Sequence, residues 1–274
     1  MSLDSAEPLA ATASRVDRWI LVEYRGVWGY DALEASGLPQ EVKDHLRERA
    51  QALGPSKVLF IRRTERRSHS TLRAFWGCSA ETGSWLRGAE IERYDDLVDL
   101  DFDGDGEPVE HPLLLVCTHG KHDRCCARYG RPLYEALAEA ADERWVWQCS
   151  HVGGDRFAGN LVVLPEGLYF GRVTADDAWT VLDEYVGGRI HLPAYRGRSC
   201  HSFPLQAAER AVRELTGLTR LDAVRIVATN PIRLRADGRV YEVEVARESG
   251  ELTYLTCSAE TLRHPRRYAA RILP

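Results

Sequence analysis

The chain of 274 residues is 44% hydrophobic and 28% charged, with a formal net charge of −5, usage that fits a folded chain and not a disordered one. Its pI of about 6.0, with no basic excess, argues against nucleic acid as a partner. The longest apolar runs, at 113–116 and 161–164, fall far short of the ~20 residues that span a bilayer, so no membrane is expected.

The opening MSLDSAEPLAATAS has no basic and no apolar segment of an export signal, and a cytoplasmic location is expected. Residues 1–15 read as a mobile leader. An N-terminal α/β module is expected over 16–108. Arg18–Tyr24 (RWILVEY) reads as a buried strand. Apolar residues at 42, 46, 50 and 53 have helical spacing, so a helix is expected over Pro39–Leu53, stopped by Gly54-Pro55. Lys57–Arg62 and Thr71–Trp76 are strand-like. The acidic, Gly-rich stretch Asp95–Glu110 is expected to be an inter-module loop. Its DFDGDG run imitates a calcium loop, but the required glutamate position falls on Pro112, which leaves a polar turn.

A second module is expected over 109–192. Leu113–Val116 reads as a buried strand. A loop of Cys, His and Gly follows. Pro132 fits the first turn of a helix continued by Leu133, Leu137 and Ala140. Trp145–Gln148 is a strand, followed by a Gly-rich loop. Asn160–Leu164 and Leu168–Val173 form a hairpin, and Asp176–Val186 a helix. This order, strand–helix–strand–hairpin–helix, matches a thioredoxin-like α/β layer, a mixed sheet with flanking helices. The first module shows a related order without a detectable sequence repeat. A C-terminal α+β module over 193–274 holds a helix at Leu205–Leu215 and strands near 223–228, 240–246 and 252–257, with Asp237-Gly238 as a hairpin turn.

Seven cysteines, an odd number without an export signal, argue for free thiols, metal ligation or redox chemistry over a disulfide framework. Cys78, Cys200 and Cys257 are scattered and read as small buried hydrophobes. Cys117, Cys125, Cys126 and Cys149 cluster with His119, His122 and His151. The first loop runs from Cys117 to Cys126, the second from Cys149 to Asn160. Loops that follow strands of one layer lie at one end of the sheet, so thiolates and an imidazole converge there. Such a donor set suits zinc or an iron–sulfur cluster. Cys126 is placed just before the helix, where the dipole favours a thiolate. Gly153, Gly154 and Gly159 let the second loop turn tightly and bring its N–H groups toward an anionic centre. Arg156 reads as a screening cation and Asn160 as a brace of the loop. A phosphate-loop reading fails on spacing and on the missing lysine.

The motifs C-T-H-G-x-H-D-x-C-C-A at 117–127 and S-H-V-G-G-D-R-F-A-G-N at 150–160 resemble the sucrase/ferredoxin-like family, a branch of the thioredoxin-like 2Fe–2S ferredoxins. The hairpin LVVLPEGLYFGRV at 161–173 and YRGR at 195–198 strengthen the likeness, which is clear over about 112–200. The resemblance implies a 2Fe–2S cluster held by two cysteines at C-x8-C and two histidines at H-x3-H. Position by position these are Cys117, Cys126 and His151, but the second histidine position is Asp155. Asp155 is a hard oxygen donor and an unusual cluster ligand. Cys149, two residues before His151 and on the same side of a strand, is an equal candidate for fourth ligand. Cys125 and His119 follow.

The expected function is one-electron transfer with an unknown redox partner protein, more a carrier than an enzyme with its own substrate. Replacing thiolate by neutral imidazole raises the potential, and an imidazole ligand can couple proton to electron movement. Two alternatives stand beside it: a cluster-free thiol–disulfide protein, against which no C-x-x-C precedes the helix, and a structural zinc site. The family label gives no ground for glycosidase activity, since no paired-carboxylate site can be placed.

Overall fold

The computed structural model describes residues 7–63, 71–256 and 259–274. Short apolar runs become strands buried on both faces. The first half contains β1 (Arg18–Glu23), α1 (Gln40–Ala52), β2 (Ser56–Arg62), β3 (Leu72–Cys78), β4 (Trp85–Ile91) and β5 (Glu107–Pro108). The second contains β6 (Leu113–Cys117), α2 (Arg124–Ala140), β7 (Val146–Cys149), β8 (Leu161–Leu164), β9 (Leu168–Phe170), α3 (Ala178–Val186) and β10 (Tyr195–Arg198). All ten strands lie in one sheet of order β10-β9-β8-β6-β7-β2-β1-β3-β4-β5.

Each half has the thioredoxin-like arrangement. β6 is parallel to β7 and antiparallel to β8, and β8 is antiparallel to β9. β1 likewise is parallel to β2 and antiparallel to β3, and β3 is antiparallel to β4. The strand order of one half is the reverse of the other, about an antiparallel seam where Ile61 faces Cys149 and Arg62 faces Gln148. The fold is therefore mixed α/β, with the thioredoxin-like layer present twice.

Strand alternation divides the core. Leu114 and Val116 pack under α2 and α3, and Ile20 and Val22 pack under α1. On the opposite face Trp19, Leu21, Leu59, Leu115, Cys117, Trp147 and Cys149 form a cluster continuous across the seam. The segment 7–16, expected within a mobile leader, is tied down across this face. Glu7 takes two hydrogen bonds from Arg156, at 2.6 and 2.8 Å. Ala13 exchanges two with the side chain of Gln206, each at 3.1 Å. Val16 N–H donates to Ser199 O at 3.0 Å. Its small residues fit against the sheet, and its polar partners are distant in sequence, so local pattern could not reveal them.

Other expectations shift. β10, beyond the expected boundary at 193, pairs with β9 in the large sheet. The C-terminal unit is a four-stranded antiparallel sheet of β11 (Val224–Thr229), β12 (Ile232–Ala236), β13 (Arg239–Ser249) and β14 (Arg266–Ile272), packed on α4 (Phe203–Thr216). β4, β12 and β14 were not expected. The strand expected at 252–257 is absent among the described residues 252–256, and Cys257 lies outside them. Asp237 and Gly238, both at positive φ, turn β12 into β13 as expected.

α4 is fastened to β10 by a buried ionic cluster. Glu209 accepts from Arg213 Nε at 2.9 Å, from Tyr195 OH at 3.3 Å and bonds His201 Nδ1 at 3.2 Å. Burial alone lowers the His201 pKa, but Cys200 and Glu209 outweigh it and raise it from 6.5 to about 9. A raised folded-state pKa adds stability that is complete below 6.5 and lost as pH rises through about 9. Denaturant melts should therefore show wild type losing on the order of 2–3 kcal/mol relative to His201→Gln between pH 6 and 10. Parallel pH profiles for the two proteins would show that His201 is not linked to folding.

Candidate metal centre

The site grows from the ends of two parallel strands. The register of β6 and β7 sets Cys117 beside Cys149, both fully buried on the same face. α2 starts well before Pro132, because the Asp123 carboxylate caps it, accepting the Cys125 N–H at 2.7 Å. Pro132 lies inside the helix, which gives up one backbone bond there. The cap on one side and the buried Leu133 and Leu137 on the other hold the helix through it. Cys126 therefore sits in the first helical turn and not ahead of it. Gly130 allows α2 to rest on β6: a Cβ there would lie 2.1 Å from the Cys117 carbonyl oxygen.

This docking brings ligands together. One ligand atom each of Cys117, Cys126 and His151 lies within 4.8 Å of the others. Cys126 Sγ is 3.8 Å from His151 Nδ1. The Cys126 thiol holds Cys117 well below the usual thiol range despite burial, and His151 adds to the effect. The same contact, with burial, raises Cys126. Cys117 is thus the more acidic thiol of the pair, and the N-terminal end of the α2 dipole favours an anion there.

The second loop is shaped by Gly153 at φ 99° and Gly154 at φ 78°. Asn160 Nδ2 donates to Gly154 O at 2.8 Å, and Arg196 donates to Asn160 Oδ1 at 2.7 Å and to Gly153 O at 3.1 Å. Gly153, Gly154 and Asn160 thus shape the loop that carries His151. Arg156 is held by Glu7.

The two leading candidates for a fourth ligand, Asp155 and Cys149, stand outside the three-residue group. Burial and then the neighbouring Asp123 carboxyl push Asp155 up to about 7, and its Oδ2 is buried with no hydrogen-bond partner. Burial and the adjacent Cys117 push Cys149 well up, so it stays a thiol. Cys125 is engaged in a disulfide. His119 has both nitrogens occupied: Nε2 bonds Gly29 O at 2.6 Å, and Nδ1 accepts the His151 N–H at 3.2 Å. It positions His151.

Sequence reading missed the roof of the site. Trp28 meets His119 edge-on at 5.7 Å, and Tyr30 stacks on His122 at 4.8 Å. Both come from the loop between β1 and α1. The available signal was the aromatic pair of V-W-G-Y, in a stretch that fits neither strand nor helix periodicity. Arg62 lies 3.9 Å over the Trp28 ring and secures it.

The sucrase/ferredoxin-like family pattern matches residues 9–197, and the chain belongs to that family. Among curated proteins it is similar to altered inheritance of mitochondria protein 32 of Debaryomyces hansenii, 32% identical over 33% of this chain and 37% of that one. The protein of the same name from Meyerozyma guilliermondii is 27% identical over 39% of this chain and 42% of its own. The matches thus span well under half of those relatives. Among solved structures, the wild-type thioredoxin-like 2Fe–2S ferredoxin of Aquifex aeolicus is similar over its full length and 33% of this chain, at 19% identity and a TM-score of 0.29.

Because α2 touches β6 through Gly130, Gly130→Ala should force the helix off the strand and part Cys126 from Cys117. The expected result is a loss of about 1–3 kcal/mol in stability and weaker Co(II) uptake by the purified protein. Uptake and stability equal to wild type would show that this contact does not set the site.

Proposed function

We propose that this chain is a one-electron carrier that holds a 2Fe–2S cluster through Cys117, Cys126 and His151. The observation that supports it most is the convergence of two thiols, one poised as thiolate, with an imidazole inside 4.8 Å. Soft sulfur with imidazole is the donor set such clusters take. The unpartnered Asp155 Oδ2 marks a polar site beside it that the protein alone leaves unsatisfied. When bound, the cluster would supply reversible storage of one electron.

The chain's own residues would set how that electron is held. Cys117 and Cys126 contribute negative charge, and His151 contributes none, which favours a higher potential than four thiolates would give. Trp28 and His119 exclude water on one side of the site. The electron would pass to or from a redox partner protein. A cytoplasmic location belongs to the same proposal. No helix among the described residues is long and apolar enough to cross a membrane.

A second reading has its own observation. Three ligand atoms this close also suit a single tetrahedral zinc ion with a fourth donor. Anaerobic reconstitution with iron and sulfide separates the two. The carrier reading expects a coloured, reducible protein, loss of the cluster in Cys117→Ser and Cys126→Ser, and in His151→Cys a retained cluster with a midpoint lower by on the order of 100 mV. A midpoint unchanged in His151→Cys would remove His151 from the ligand set. A colourless product that takes up zinc alone would favour the structural site.

A further inference from the structure

We infer that His122 is the fourth protein ligand of this centre, placed beside His151 from the first loop. The inference rests on the metal-centre reading above and extends it. The His122 and His151 rings stack with centroids 3.8 Å apart and planes 21° apart. Two imidazoles, carried by two different loops, thus lie face to face, one of them a member of the thiol group.

The hydrogen bonds of His122 settle which nitrogen is available. Its Nδ1 lies 3.1 Å from the Tyr30 carbonyl oxygen. A carbonyl only accepts, so Nδ1 carries the proton and Nε2 keeps its lone pair. A ring N–H on a backbone carbonyl is the support by which metal-bound histidines are oriented. The residue is also held in place. His122 N–H and Asp123 N–H both donate to His119 O, at 3.2 and 3.1 Å, in a turn that ends on the cap of α2. Tyr30 stacks on His122 as well. The roof, the turn and the helix cap therefore fix an imidazole whose Nε2 has no hydrogen-bond partner among the described residues.

Each of the other donors has a partner or a packing place of its own. His119 has both nitrogens occupied. The Asp155 carboxyl pairs with that of Asp123. Cys149 is packed in the shared core beneath the site, and Cys125 is in a disulfide. His122 lies outside the 4.8 Å group and adjoins it through the His151 ring on which it stacks. The donor set becomes two thiolates and two imidazoles, with the second imidazole drawn from the loop that carries both cysteines.

The test counts nitrogens. Full-length protein is loaded with iron and sulfide, reduced, and examined by pulsed EPR for strongly coupled nitrogen. Wild type should show two such nitrogens. His122→Asn, which keeps a donor for the Tyr30 carbonyl, should show one, and Asp155→Asn should keep two. One nitrogen in wild type, or two in His122→Asn, would overturn the assignment, and the wild-type count needs no variant to fold. If wild type assembles no iron–sulfur centre, the carrier reading has failed by itself, and Co(II) binding decides on His122. Affinity at least about tenfold weaker in His122→Asn supports ligation, on the scale by which even second-layer changes alter metal sites. Equal affinity overturns it.

Discussion

The site depends on one close contact, the seating of α2 on the last peptide of β6. Only glycine at 130 lets the helix approach the Cys117 carbonyl so nearly. The Asp123 cap then starts the helix early enough to put Cys126 in its first turn. With these two constraints met, a strand-end cysteine and a helix-start cysteine meet, and the dipole of that turn favours the thiolate they share. The second loop adds His151 only because Arg196 and Asn160 hold it against the same end of the sheet.

The repeated layer gives this arrangement its surroundings. Both halves follow one topology, joined back to back through β2 and β7. Only one half carries the thiol pair, for no cysteine occurs between Arg18 and Arg62. The first half uses the loop at its corresponding strand end to cover the site of the second. Trp28, Gly29 and Tyr30 supply an edge, a carbonyl and a stacked ring to the histidines. The duplication thus works as a division of labour, donor set in one layer and roof in the other.

Much of this was legible in the residues. The buried runs of β1, β2, β6 and β7 and the motif pair at 117–127 and 150–160 pointed to two loops at one sheet end, and the structure brings Cys117, Cys126 and His151 together there. The failures have physical causes. Pro132 is a strong start signal, yet a capped and well-packed helix tolerates it inside. β4 has a glycine, Gly88, at a buried position and Arg87 and Glu90 within the strand, and β14 is rich in arginine, so neither shows a clean apolar alternation. β12 does alternate, Ile232 and Leu234 against Arg233 and Arg235, and its signal was there to be read. The strap at 7–16 and the aromatic roof depend on partners far along the chain, which no local pattern encodes.

The central claim is that sulfur and imidazole from two neighbouring strand ends bind an iron–sulfur centre. Metal and acid-labile sulfide analysis of the full-length protein, isolated without oxygen and never reconstituted, tests it most directly. The account predicts two iron and two sulfide per chain. Stoichiometric zinc, or protein free of both iron and sulfide, would contradict it.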